Sequence, residues 1–130
     1  HLRFRGNLTW SHSEDRSEIA ARRGKKLPYR PTWKTYARLE AYTHLAGAGE
    51  AGLALELEHL EGDVLDHANL VENPARIIFG VASWIEFLES QIRLSLNLRN
   101  VMDSKVLDFQ GYPLPGPSAM VTLRWRPPLN

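Results

Sequence analysis

The chain has 130 residues, 24% of them charged and 43% hydrophobic, with a formal net charge of +1. That length allows one domain with a modest core, and so even a balance points to neither nucleic acid nor an anionic surface as partner. Cysteine is absent, which excludes disulfides and thiolate chemistry, and no run approaches the roughly 20 apolar residues of a spanning helix.

The chain opens on His1 rather than Met, as expected of a mature form or an excised piece. Residues 2–11 alternate, with Leu2, Phe4, Leu8 and Trp10 in one file and Arg3 and Arg5 in the other. Strict alternation is the period of a strand whose two faces meet different surroundings. Residues 12–31 are polar and charged, a long connection that permits a short helix over 13–23 with Gly24 just past its end.

Alternation returns over 33–43, where Trp33, Thr35, Ala37, Leu39 and Ala41 oppose Lys34, Tyr36, Arg38, Glu40 and Tyr42. A small-residue turn over 44–49 leads to 50–60, with Ala51, Leu53, Leu55 and Leu57 opposite Glu50, Gly52, Ala54, Glu56 and Glu58. A second long connection over 61–74 is full of turn formers. Residues 76–85 are β-branched and aromatic, with Ile77, Phe79, Val81 and Ile85 as the apolar file and Gly80 and Ala82 opposite. After a short link, 91–100 sets Ile92, Leu94, Leu96 and Leu98 against Arg93, Ser95, Asn97 and Arg99. A third long connection, 101–117, ends in the rigid Gly111-Tyr112-Pro113-Leu114-Pro115-Gly116-Pro117. The last strand, 118–126, puts Ala119, Val121, Leu123 and Trp125 in one file and Met120, Arg124 and Arg126 in the other.

The expectation is an all-β, antiparallel meander of about six strands, each of about ten residues, in one unit spanning residues 1–130. Charges within each strand keep to one register, and long connections alternate with short ones. A soluble half-buried sheet produces such files, with the apolar file against a core. So does a transmembrane barrel wall, with the apolar file against lipid and the charged file against a wet lumen. The length favours the barrel, because strands of about 9–11 residues cross a bilayer when tilted, whereas globular strands cluster near five or six. Trp10, Tyr29 and Trp33 at the long-loop end, with Phe87 and Trp125 at the other, match two interfacial aromatic girdles.

Four stretches carry a resemblance: Leu27-Pro28-Tyr29-Arg30-Pro31; Gly62-Asp63 with Asp66-His67-Ala68-Asn69; Asn97-Leu98-Arg99-Asn100; and Asp108-Phe109-Gln110-Gly111-Tyr112-Pro113-Leu114-Pro115-Gly116. With them the chain resembles the C-terminal barrel segment of the TonB-dependent outer-membrane receptors. Pro117 stands where that family usually has Arg, and the ending Arg-Pro-Pro-Leu-Asn replaces its terminal aromatic. The resemblance implies a bacterial outer-membrane location and part of a barrel of the 22-stranded type. It also implies import of a scarce nutrient such as a siderophore-like metal chelate. The partners implied are the rest of the barrel, a plug domain, outer-membrane lipid and a TonB-type energy coupler reached through an N-terminal part; nucleic acid is not among them. The rival is a soluble β-rich ligand-binding or interaction domain, and a weaker third reading is a small porin-like barrel closed by oligomerisation.

No enzyme is expected, since no nucleophile elbow occurs and Glu56 with Glu58 reads as a cross-strand ion-pairing set. No cofactor is expected. The nearest metal-like spacing, Asp63 with Asp66 and His67, reads as turn chemistry. Lys25, Lys26, Arg30, Asp66 and Asn69 in the long loops are the candidate ligand contacts, because loops on a rigid wall usually carry them. Arg3, Arg5, Arg38, Glu40, Glu56, Glu58, Arg93, Arg99 and Arg124 are the expected lumen-facing set.

Overall fold

The structure, a computed structural model, describes residues 1–46, 49–88, 91–105, 107–109 (backbone alone) and 112–127. Among the described residues the strands are β1 (Leu2–Trp10), β2 (Trp33–Leu45), β3 (Gly49–Glu61), β4 (Asp63–Val64), β5 (Glu72–Asn73), β6 (Arg76–Phe87), β7 (Ile92–Arg99), β8 (Leu107–Phe109), β9 (Tyr112–Pro113) and β10 (Ser118–Trp125). The long strands form one six-stranded sheet in the order β1-β2-β3-β6-β7-β10. Every pairing in it is antiparallel, so the chain is a meander. The pairs β4-β5 and β8-β9 are small ribbons inside the second and third long connections.

The expected strands agree with these bounds to within two residues. The short helix that the sequence permits over 13–23 does not form. The backbone of Asp15 bonds both Lys25 and Gly24 (2.8 Å each), and Glu14 bridges Lys26. Pinned at both ends, the segment has room for one turn, closed by the N–H groups of Arg22 and Arg23 on the Ile19 carbonyl. Gly24 does sit at a positive φ of 76°, the turn-ending role glycine fills without a Cβ clash. Gly47, Ala48, Glu89, Ser90, Val106, Gln110, Gly111 and 128–130 lie outside the described residues. Parts of the small-residue turn, of the Gly111 motif and of the chain ending lie there too.

Register fixes the faces. Cross-strand partners share a side of the sheet, so Arg38↔Glu56, Glu56↔Gly80 and Gly80↔Arg99 form one row of the polar face. Likewise Phe4↔Leu39, Leu39↔Leu55 and Leu55↔Val81 form one row of the apolar face. A water-soluble sheet would bury the second set. Here the order is inverted: Leu53 is 49% exposed and Leu55 53%, whereas Glu40 is 4%, Ala54 1% and Ala82 4% exposed. Among the described residues the cluster of buried residues, Ala54, Ala82 and Trp84, lies on the polar face, with Tyr42 packed against it.

Candidate functional site

The polar face is covered by its own side chains. Glu40 accepts from Arg38 Nε at 2.7 Å and lies 3.4 Å from Arg3 and 3.6 Å from Arg5. Arg38 also pairs with Glu56, and Tyr36 reaches the same carboxylate. Farther across, Glu58 holds Arg99 at 3.0 Å, and Glu86 holds Arg93 at 3.0 Å. Arg124 stands directly opposite Arg93 in the register. The nine charged residues expected on one face therefore do share it. The small residues Ala54, Gly80 and Ala82 leave the depth that these long side chains fill.

Nearer the short turns, Trp84 lies flat across Gly52, its direct cross-strand partner, where even a Cβ would collide with the ring. Its Nε1 donates to Glu50 at 2.9 Å, and the Arg93 guanidinium sits 5.2 Å above the ring. Two further rings, Tyr42 and His44, pack beside one another, with Arg3 over Tyr42 at 5.1 Å. Trp84 shares the register of Gly80 and Ala82, but nothing in the alternation marks an indole as the lid of a glycine gap.

All three long connections emerge at the other end of the sheet, and two of them are stapled together. Lys25 Nζ donates to the Ala68 carbonyl at 3.0 Å. Lys26 N–H donates to Asn69 Oδ1 at 2.7 Å, and Asn69 Nδ2 returns a bond to the Lys26 carbonyl at 2.9 Å. Tyr29 N–H reaches the Val64 carbonyl and the Thr32 hydroxyl the Gly62 carbonyl. Asp66 organises the inner side of this junction: its carboxylate accepts the N–H groups of Ala68, Leu70 and Val71 at 2.9–3.0 Å. Those backbone bonds, Val71 first, hold its pKa below the ordinary carboxylate value. Thus Lys25, Lys26 and Asn69 join the two loops, Asp66 holds the backbone of its own loop, and Arg30 is exposed. Asp66 is engaged by backbone rather than poised for a cation, and no group of three or more metal-ligating side chains occurs among the described residues.

Beneath the junction lies a cavity of about 230 Å³ lined by Tyr29, Pro31, Lys34, Leu60, Asp63 and Pro74, among others. The third connection is held by Asn100, 3% exposed and at a positive φ of 55°. Its side chain bonds the Ser104 and Pro115 carbonyls and accepts the Ser104 N–H at 2.8 Å. The Asn100 amide thus both donates and accepts at this position.

No family model, curated protein or solved structure matches the chain.

Proposed function

We propose that the chain is the C-terminal wall section of an outer-membrane β-barrel of the TonB-dependent receptor type, which imports a scarce nutrient such as a metal chelate. The observation that carries this reading is the inverted sheet: ion-paired and covered on its charged face, bare on its apolar face. In water such an arrangement exposes the surface whose burial drives folding; in a bilayer it is the stable one. Dimensions agree. The 12 residues of β6 rise about 40 Å, which projects to about 30 Å at a tilt near 40°, the thickness of a hydrocarbon core. At one end of the apolar face Trp10 pairs with Trp33, and at the other Trp125 pairs with Ile92 beside Phe87, the level at which aromatic belts sit.

In this reading the charged face lines the lumen against a plug, and the stapled loops face outward to capture ligand. The plug, the remaining strands and the contact with the energy coupler belong to other parts of the protein. The four stretches that resemble the family carry the choice of receptor over a simple porin. No covalent chemistry is assigned to the chain.

The test is tryptophan quenching in vesicles of phosphatidylcholine with brominated acyl chains, read with the whole protein and single Trp→Phe variants. Emission from Trp10, Trp33 and Trp125 should be quenched, and that from Trp84 spared. A protein that instead purifies as a folded, detergent-free monomer with all four unquenched overturns the membrane reading and favours the soluble domain.

A further inference from the structure

The arginines in the strands of the sheet all stand on its polar face. Those of β1, β2, β6 and β7 each have a carboxylate of the sheet itself within 4.0 Å. Arg3 and Arg5 share Glu40, Arg38 takes Glu40 and Glu56, Arg76 and Arg99 share Glu58, and Arg93 takes Glu86. Arg124 of β10 is the exception among the described residues. The residue directly opposite it is Arg93, and Glu86 beyond is held by that same Arg93 at 3.0 Å. Arg126, two positions on, stays on this face, because its N–H continues the ladder to the Gln91 carbonyl at 2.7 Å. Arg93, Arg124 and Arg126 line one recess with Glu86 as their single carboxylate. Like charges directly opposite one another destabilise a strand pair.

On its other side β10 is an open edge. We infer that the strand which pairs with this edge carries an inward-facing carboxylate opposite Arg124, and that this one group engages both Arg124 and Arg126. The inference rests on the barrel reading above and adds the chemistry of the strand that closes against β10. The far edge of the sheet displays the geometry. Glu40 stands opposite Arg3, 3.4 Å away, and reaches Arg5, two positions along β1, at 3.6 Å. A carboxylate opposite Arg124 meets two arginines at the same spacing, one across and one diagonal.

A second copy of the chain does not supply this group. Neither edge strand contains Asp or Glu, and β1 would bring Arg3 and Arg5 instead. A neighbouring strand also fits better than an acidic surface inside the lumen, since the other strand arginines all find their carboxylates within the sheet. The pairing has a consequence for assembly. A slip of one residue turns the carboxylate to the opposite face, so the ion pair fixes the register in which β10 is joined and rejects a basic strand.

The experiment is zero-length carbodiimide cross-linking of the whole protein in mild detergent, read by peptide mass spectrometry. Arg124→Lys supplies an amine where arginine gives none, and Arg93→Lys, beside Glu86, shows the yield of a contacting pair. The expected result is an amide between position 124 and one Asp or Glu of a strand outside residues 1–130, at a yield matching the link from position 93 to Glu86. Arg126→Lys should link to the same carboxylate, and serves where Arg124→Lys fails to assemble. The unaltered protein should show complete loss of both links. A link to Glu86 alone, to a plug segment, or between differently isotope-labelled copies overturns the inference, as does no link from either variant. Hydrogen exchange in the same preparation separates the two failures: protected outward amides of β10 without the link leave the barrel reading standing, whereas fast exchange there removes both.

Discussion

Gly52 has no room for a side chain, because the Trp84 indole occupies the volume where its Cβ would project. Gly52→Ala therefore pushes the ring off the strand, costing about 1–3 kcal/mol as overpacking does, and breaks the Nε1 bond to Glu50. Near-ultraviolet circular dichroism should lose the fixed-indole signal and the unfolding midpoint should fall; an unchanged spectrum would sink this account. Asp66 gives a residue-scale dependence on pH. Its folded pKa lies below the ordinary value of 3.8 because it accepts backbone N–H groups. The charged form is thus favoured in the folded turn. The contribution is fully present above about pH 3.8 and is lost as pH falls through the lower folded value. Protection of the Ala68, Leu70 and Val71 amides, measured relative to their intrinsic exchange rates, should be high at neutral pH and fall below that window, and Asp66→Asn should lower it already at neutral pH. The sequence assigned Asp66 and Asn69 to ligand contact because polar loop residues look alike from composition. Asp66 is engaged by N–H groups two to five positions on, through a turn geometry that composition does not state, whereas Asn69 is engaged by Lys26, 43 positions away.

At the scale of elements, the strands were readable because alternation is a local property: Arg3 and Arg5 fall in one register whatever the strand pairs with. The faces of β6 were less legible, since Ile78 and Trp84 lie in the charged file yet are apolar; their place came from pairing with Glu58 and Gly52. The helix merely permitted over 13–23 does not form, because a bridge from Glu14 to Lys26 outweighs a weak local preference. The staple between the first two long loops was invisible in sequence and has its own consequence. Asn69→Ala removes both bonds to Lys26, each contributing on the order of 1 kcal/mol. The Arg22 to Lys26 segment should then be cut several-fold faster by trypsin, and the 62–75 loop, which holds no Lys or Arg, several-fold faster by chymotrypsin at Leu65 or Leu70. If only one loop becomes labile, the two do not move as a unit.

At the scale of the whole molecule, the sheet ends in two open edges. β1 and β10 each pair on one side only, and every residue of both is exposed. Unpaired edges of nine and eight residues are a template for further strands, and soluble proteins blunt such edges with proline, bulges or inward charge. Neither β1 nor β10 contains a proline, and the Arg3 and Arg5 side chains are engaged by Glu40 across the face rather than guarding the edge. Six strands are too few to enclose a wide lumen, because barrel diameter grows with strand number. If the wall is part of a larger barrel, both edges are paired in the intact protein. Alternate amides of β1 and β10, those directed away from β2 and β7, should then be protected from hydrogen exchange in the whole protein. In residues 1–130 expressed alone the same amides should exchange rapidly or the chain should associate through them. Fast exchange of both edges in the intact protein would mean that the sheet ends where it is seen to end, and that no barrel is formed.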